Sequence, residues 1–339
     1  LNKNFDETTG RAKFFENVNK ELHRLIDPAT GKVKTELLEQ INCPVCDANS
    51  YDHLFTKQGY DFVRCKSCNL VYVNPRLLES ATLAYYGDAA DQQSMEDWMK
   101  VLASPANQAW QTPYFQEAVD ILAKLIPAKG KILDIGCSIG LFMEVAQKSG
   151  FECVGLEPEP KSREYAINRG LDVRPDLFLE AGFPSASFDA ITMFGVLEHL
   201  SQPKQMLADI WDVLKPGGVV MVMVPNVYSF ANGTLHEQAR TFTGRNHLSY
   251  FAWDTLSNLF TQSGYEVAHL DTALTGLDAV LNHWQFKDPH TGLSLDLLPP
   301  KMRSVLQTPD GRLQFEKLIR DWDMGLRLRL AARKPKLVS

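Results

Sequence analysis

Two acidic side chains and a pair of glycines carry the first chemical signal. In Lys131-Ile-Leu-Asp-Ile-Gly-Cys-Ser-Ile-Gly140 a short apolar run ends on Asp134, and Gly136 and Gly140 follow before a helical stretch opens near Leu141. Glycines at such a turn let the backbone approach a ligand where a Cβ would collide. A dinucleotide site would show Gly-x-Gly-x-x-Gly, with a pyrophosphate on the helix N-terminus, and that pattern is absent. A carboxylate at Asp134 repels phosphate but can anchor an ammonium group, directly or through water. Glu157 ends the next apolar run, Cys153-Val-Gly-Leu-Glu-Pro158, about where an acid takes both hydroxyls of a ribose. Together the two acids fit a ligand with an amino acid at one end and a nucleoside at the other.

The second signal is sulfur. Cys43-Pro-Val-Cys46 and Cys65-Lys-Ser-Cys68 are two Cys-x-x-Cys turns at a separation that lets them close one tetrahedral site. Four thiolates leave no coordination position for water, so the expected ion is a structural zinc. The module carries Lys57, Arg64 and Lys66 against Asp47, Asp52 and Asp61 and so shows no basic face. A scaffold role follows, with a possible wall of the substrate cleft from Asn74, Pro75, Arg76, Tyr85 and Tyr86 just beyond it.

These residues need elements to hold them. Residues 1–41 read as an amphipathic helical segment broken at Asp27-Pro28, residues 42–76 as a zinc ribbon, and residues 77–129 as a helical bridge ending in a helix over Phe115 to Leu125. From residue 130 to 339 short β-branched runs alternate with helical stretches, the pattern of a parallel sheet covered on both faces. The runs are Lys131 to Ile135, Glu152 to Leu156, Leu171 to Arg174, Phe188 to Met193, Val219 to Val224, Glu266 to Asp271 and Leu326 to Ala332. The expected fold is thus α/β, a doubly wound seven-stranded sheet behind a small N-terminal zinc ribbon. An insertion at about 275–323, with Pro299-Pro300, His283 and Trp284, has no strand pattern and is the length of a lid or binding element.

Composition narrows the function class. The 339 residues are 45% hydrophobic and 22% charged, an ordinary globular balance. A net charge of −6 argues against nucleic-acid binding, which needs clustered Lys and Arg. Runs such as Val219 to Val224 fall far short of the roughly 20 residues that cross a bilayer, and the first stretch lacks the apolar core of a signal peptide. A cytoplasmic protein is the expectation, and nothing in the sequence sets its oligomeric state.

With these residues in place the sequence resembles the class I S-adenosylmethionine-dependent methyltransferases, from about Gly130 to Gly264 with Leu326 to Pro335 as a final strand. Leu133-Asp-Ile-Gly-Cys-Ser-Ile-Gly140 resembles the family's glycine-rich first motif, with Ser138 where many members have glycine, and Glu157 its ribose-binding acid. Phe188-Asp-Ala-Ile-Thr-Met-Phe-Gly-Val-Leu-Glu-His-Leu200 resembles the fourth-strand motif, and Leu214-Lys-Pro-Gly-Gly218 the turn before the fifth strand. The resemblance implies S-adenosylmethionine as cofactor, an antiparallel last strand, and a cofactor-binding set of Asp134, Gly136, Cys137, Gly140, Glu157, Asp176 and Phe194. Four cysteines ahead of such a domain, followed by Leu70-Val-Tyr-Val-Asn-Pro-Arg76, also resemble a bacterial subset, some of which act on sugars.

A sulfonium is already an activated methyl donor, so the protein must align the acceptor and exclude water. A hydroxyl or amine acceptor must also lose a proton, and histidine suits that task. His199, after the fourth strand, and His247, in Arg245-Asn-His-Leu-Ser-Tyr-Phe251, are the catalytic candidates, although each could instead serve as a structural contact. His236, His269, His283 and His290 have no such placement. Metal-dependent relatives use Glu-x-x-Glu-His for magnesium; here Gly195 replaces the first acid, so a catalytic magnesium is not expected. Cys137 and Cys153 read as packing residues rather than nucleophiles, and Tyr85, Tyr86, Trp98 and Trp110 as core or as an acceptor pocket.

The leading functional expectation is methyl transfer to a small-molecule acceptor, a hydroxyl of a sugar, sugar nucleotide or related metabolite. The alternatives are an RNA or protein methyltransferase gripping its substrate through the ribbon, and a non-catalytic nucleoside-binding scaffold.

Overall fold

A computed structural model describes residues 9–81, 92–127, 130–286 and 299–336. In chain order the N-terminal strands are β1 (Leu38–Glu39), β2 (Tyr51–Lys57), β3 (Tyr60–Cys65), β4 (Val71–Val73) and β5 (Arg76–Leu77). After residue 130 come β6 (Lys131–Ile135), β7 (Glu152–Leu156), β8 (Val173–Arg174), β9 (Phe188–Phe194), β10 (Leu214–Pro225), β11 (Ser249–Tyr250), β12 (Glu266–Ala273) and β13 (Arg327–Arg333).

Seven of these form the main sheet in the order β12-β13-β10-β9-β6-β7-β8. Strands β6 to β10 pair in parallel, and β13 lies antiparallel between β10 and β12. This is a Rossmann-like sheet, and its last strand is antiparallel, as the family resemblance implied. Successive side chains of a strand point to opposite faces, and both faces here are covered. Val220, Val222 and Val224 of β10 join one core, while Val219, Met221 and Met223 join the other. A strand apolar at every position is what burial on both faces selects. From β6 the sheet is built outward one way through β7 and β8 and the other way through β9 and β10, so the strand order reverses between β6 and β9. Ligands of open α/β sheets bind beyond the carboxyl ends of the strands at such a reversal.

One face of the sheet carries the helix Pro105–Leu125, whose Phe115, Ala118, Val119 and Leu122 are buried. It starts ten residues ahead of the expected Phe115, because the Ser104 side chain accepts from the Asn107 amide and Pro105 occupies the first turn. Pro113 is accommodated inside it.

A second sheet has the order β11-β4-β3-β2 and is antiparallel throughout. Its first strand comes from Ser249–Tyr250, far downstream of the cysteines, with Ser249 opposite Tyr72 and Tyr250 opposite Val71. Cys43, Val45, Cys65, Leu70 and Tyr72 share one hydrophobic cluster with Leu133, Ile191 and Phe251 of the α/β domain. The cysteine module is therefore packed into the main core.

The span 275–323 is helical where described, with helices Leu277–Phe286, Pro300–Leu306 and Pro309–Asp321. Leu277, Leu281, Leu306 and Ile319 form a small core of their own. Tyr85, Tyr86 and His290, and the side chains of His283 and Trp284, lie outside the described residues. Among the described residues no helix is long and apolar enough to cross a membrane.

Candidate active site

The glycine turn folds back over the end of β7. The amides of Gly136 and Cys137 both donate to the Leu156 carbonyl, at 2.8 and 3.1 Å, and the Gly140 amide donates to the Cys137 carbonyl at 2.9 Å. Gly136 (φ +70°) and Gly140 (φ +76°) are in the left-handed region. The glycines also have a packing reason. A Cβ on Gly136 would meet Val196 at 2.6 Å, and one on Gly140 would meet Leu171 at 2.1 Å, so the protein itself already fills the space a side chain would need. Ser138 is also left-handed, at φ +52°, a conformation that glycine adopts at less cost.

Glu157 is nearly buried, and both of its carboxylate oxygens accept backbone hydrogen bonds. The Ser138 amide donates to Oε2 at 2.9 Å and the Glu159 amide to Oε1 at 2.8 Å. These fix the carboxylate, and each oxygen keeps a second lone pair for a further donor. Burial raises its pKa, while the two amides oppose the rise.

Asp134 is 3% exposed and accepts from the Thr192 hydroxyl at 2.7 Å. Burial pushes its pKa up to about 7, with the Glu157 charge adding to the rise and Thr192 resisting it. A carboxylate held in this state is one whose charge a cationic ligand would relieve. The two acids and the glycine turn thus fit a nucleoside bearing an ammonium group.

Phe194 ends β9, stacked on Phe115 and edge-on to Phe142, with centroids 5.8 and 4.7 Å apart. Cys137 is buried, and its sulfur occupies the room left by Gly155. Burial, with Asp134 and Glu157, pushes its thiol well above the ordinary range, which makes it a poor nucleophile. Cys153 is likewise buried and shifted upward. Asp176 follows β8 and is half-buried. Trp98 packs on Phe14, and Trp110 sits beside Tyr114 at 40% exposure.

Val196, packed over Gly136, carries the chain from the end of β9 to the short 3-10 helix Leu197–His199. There the two candidate histidines meet edge to face, with ring centroids 4.8 Å apart. His199 Nδ1 lies 2.8 Å from the Asn246 carbonyl and His247 Nδ1 lies 3.0 Å from the Thr241 carbonyl. A carbonyl only accepts, so each ring carries its proton on Nδ1 and keeps a lone pair on Nε2 when neutral. Burial drives the His247 pKa well below 6.5, with His199 and Arg327 adding to the effect.

Beside them Glu198 is fully buried and receives the Arg327 guanidinium on Oε1 at 3.1 Å. Glu198, His199 and His247 place ligand-capable atoms within 4.8 Å of one another. Two ring nitrogens and one carboxylate already paired with Arg327 are not the oxygen-rich donor set magnesium takes. Sequence reasoning did not find Thr192 or Arg327. Thr192 had a local signal, a hydroxyl within the otherwise apolar Ala190-Ile-Thr-Met-Phe194; Arg327 had none.

The four ribbon cysteines converge. Cys43 and Cys68 sulfurs are 3.5 Å apart, as are those of Cys46 and Cys65, and all four lie within 4.8 Å of one another. Zinc–sulfur bonds of about 2.3 Å give tetrahedron edges of about 3.8 Å, so the set fits one tetrahedral ion. Both turns have the same build. Cys43 N donates to Ala48 O and Asp47 N to Cys43 O; Cys65 N donates to Leu70 O and Asn69 N to Cys65 O. Asp47 (φ +60°) and Asn69 (φ +63°) take the left-handed conformation that closes each turn, which Asp and Asn tolerate better than most residues.

Comparison with known proteins shows what the chain is similar to. Residues 108–270 match the family described as a methyltransferase domain. A probable S-adenosylmethionine-dependent methyltransferase of Mycolicibacterium smegmatis is 30% identical over 104 residues, covering 30% of this chain and 40% of that protein. A ubiquinone biosynthesis O-methyltransferase of Xanthomonas axonopodis is 29% identical over 116 residues, covering 31% and 47%. A solved Thermotoga maritima structure, described as a possible histamine N-methyltransferase, is 18% identical with a TM-score of 0.45, covering 72% and 96%. The chain spans about half the length, or somewhat less, of the curated relatives it matches. Residues 108–270 are therefore similar to methyltransferase domains.

Proposed function

We propose that this chain is an S-adenosylmethionine-dependent methyltransferase whose acceptor is a small molecule, a hydroxyl of a sugar, sugar nucleotide or related metabolite. The observation that carries the reading is the Asp134–Glu157 pair on either side of the glycine turn. Asp134 would hold the ammonium group of the cofactor and Glu157 its ribose hydroxyls, with Gly136, Cys137 and Gly140 forming the turn between them and Phe194 and Asp176 completing the cofactor-binding set. When bound, S-adenosylmethionine supplies an electrophilic methyl group. His199 and His247 stand where β9 and the 241–248 loop meet, and the Nε2 of one of them takes the proton that a hydroxyl acceptor must lose. Similarity to O-methyltransferases such as the Xanthomonas enzyme supports oxygen as the accepting atom.

Cys43, Cys46, Cys65 and Cys68 would hold one structural zinc ion, since four sulfurs leave it no open position. The direct test is calorimetry with S-adenosylmethionine, followed by transfer of labelled methyl to a panel of sugars and sugar nucleotides. Micromolar binding that vanishes in Asp134→Ala supports the reading; unchanged binding in that variant contradicts it.

A further inference from the structure

Segment 246–251 is held from three sides. The Asn246 carbonyl accepts from His199 Nδ1 at 2.8 Å, and the Leu248 amide donates to the Glu198 carbonyl at 2.8 Å. The Phe251 carbonyl accepts from the Val227 amide at 2.9 Å, tying the segment to the end of β10. On the remaining side the Leu248 carbonyl accepts from the Val73 amide at 3.1 Å, and Ser249 and Tyr250 pair with Tyr72 and Val71. Val71 to Val73 follow directly from the second cysteine turn, because Leu70 O accepts from Cys65 N. The Tyr72 ring is fully buried in the cluster that holds Cys43 and Cys65. A continuous run of backbone bonds and packed rings therefore leads from the four sulfurs to the residue after His247. The Asp134 and Glu157 contacts named above use none of these bonds.

We propose that the cysteine ribbon positions the His199–His247 pair, with Val73 and Leu248 as the positioning residues, so that metal occupancy sets the acceptor side of the site and leaves the cofactor side unchanged. The inference rests on reading the histidine pair as the proton-accepting side. In a ribbon with a purely structural role, metal loss would lower stability and leave the two rings where they are. In a positioning ribbon, loosening β4 releases Leu248 and with it the carbonyl that fixes the His199 tautomer.

The test uses the full chain and three readouts that need no acceptor: S-adenosylmethionine affinity by calorimetry, Leu248 amide exchange, and the imidazole nitrogen resonances of His199 and His247. Val73→Pro deletes the N–H that reaches Leu248 and keeps all four cysteines, whereas Cys46→Ser removes one ligand. In both, Leu248 exchange should quicken about tenfold or more and the His199 resonances should shift toward mixed tautomers, with cofactor affinity within about twofold of the parent. Zinc content should fall only in Cys46→Ser. If Val73→Pro does not fold, chelator-treated parent protein that still binds cofactor gives the second measurement. Unmoved histidine resonances and Leu248 protection after zinc loss overturn the proposal. Shifted resonances alongside full methyl transfer by the double variant His199→Gln, His247→Gln would instead overturn the base reading and leave the coupling standing.

Discussion

The Thr192 hydroxyl sits 2.7 Å from Asp134 Oδ1, on the neighbouring strand and directly across the register from it. That bond is the contact that favours the charged form of Asp134 against burial and the nearby Glu157. Replacing Thr192 with Val keeps the shape and deletes the donor. S-adenosylmethionine affinity at pH 7 should fall about tenfold, since losing a hydrogen bond to a charged group costs about 1.5–3 kcal/mol. Calorimetry at pH 7 and 8.5 checks this, and the defect should shrink at the higher pH.

Cofactor affinity in the parent protein should depend on pH for the same reason. With its pKa near 7, Asp134 must give up a proton to receive an ammonium group, so below pH 7 each unit should cost about tenfold in affinity. Stability should run the other way. An acid whose folded pKa lies above its ordinary value of 3.8 opposes folding wherever the unfolded chain is ionised, so its penalty grows as pH rises from about 4 to 7 and is complete above 7. Asp134→Asn should accordingly raise the melting temperature at pH 7.5 while weakening the cofactor. A flat affinity profile between pH 5.5 and 7.5 would remove Asp134 from the ammonium site.

Glu157 has two backbone donors to satisfy. Glu157→Ala should cost about 1–3 kcal/mol of stability for each amide left buried without a partner, in addition to its effect on cofactor affinity. Glu157→Gln keeps one acceptor oxygen and should melt closer to the parent, yet it presents one acceptor fewer to the ribose. The pair is checked by thermal melts alongside calorimetry. Equal melting of the two variants would show that the amides do not depend on the carboxylate.

Ser138 contributes its amide, which donates to Glu157, while its backbone is left-handed. Ser138→Gly should retain cofactor affinity and gain up to about 1 kcal/mol of stability by relieving that conformation. A loss of affinity would assign the hydroxyl a role that its backbone geometry does not predict.

The pH dependence of the rate tests His247 as the base. The depressed pKa of His247 keeps it neutral well below pH 6.5, so if it is the base, kcat should hold its plateau into mildly acidic solution. His247→Gln should then lower kcat by about 10²–10⁴. A kcat that survives this substitution would transfer the role to His199.

Much of this molecule was legible in its sequence, and the reason is local. Burial on both faces demands strands apolar at every position, which Val219 to Val224 display without any partner in view. Asp134, the glycine turn and Glu157 belong to one strand-turn-helix-strand unit, so their order along the chain is close to their order in space. The four cysteines announced themselves because each turn is built within a few residues.

Tertiary structure alone decided what depends on contacts between distant segments. His199 and His247 meet where the Leu248 amide finds the Glu198 carbonyl and the Asn246 carbonyl finds His199, and no periodicity in either stretch encodes that pairing. The strand Ser249–Tyr250 is two residues long and carries no pattern, yet it completes the cysteine sheet and joins it to the main core. Arg327 reaches Glu198 from the last strand, across the sheet order. Local propensity and turn chemistry are written residue by residue, whereas which edge a short strand joins is settled by the sum of packing over the whole fold.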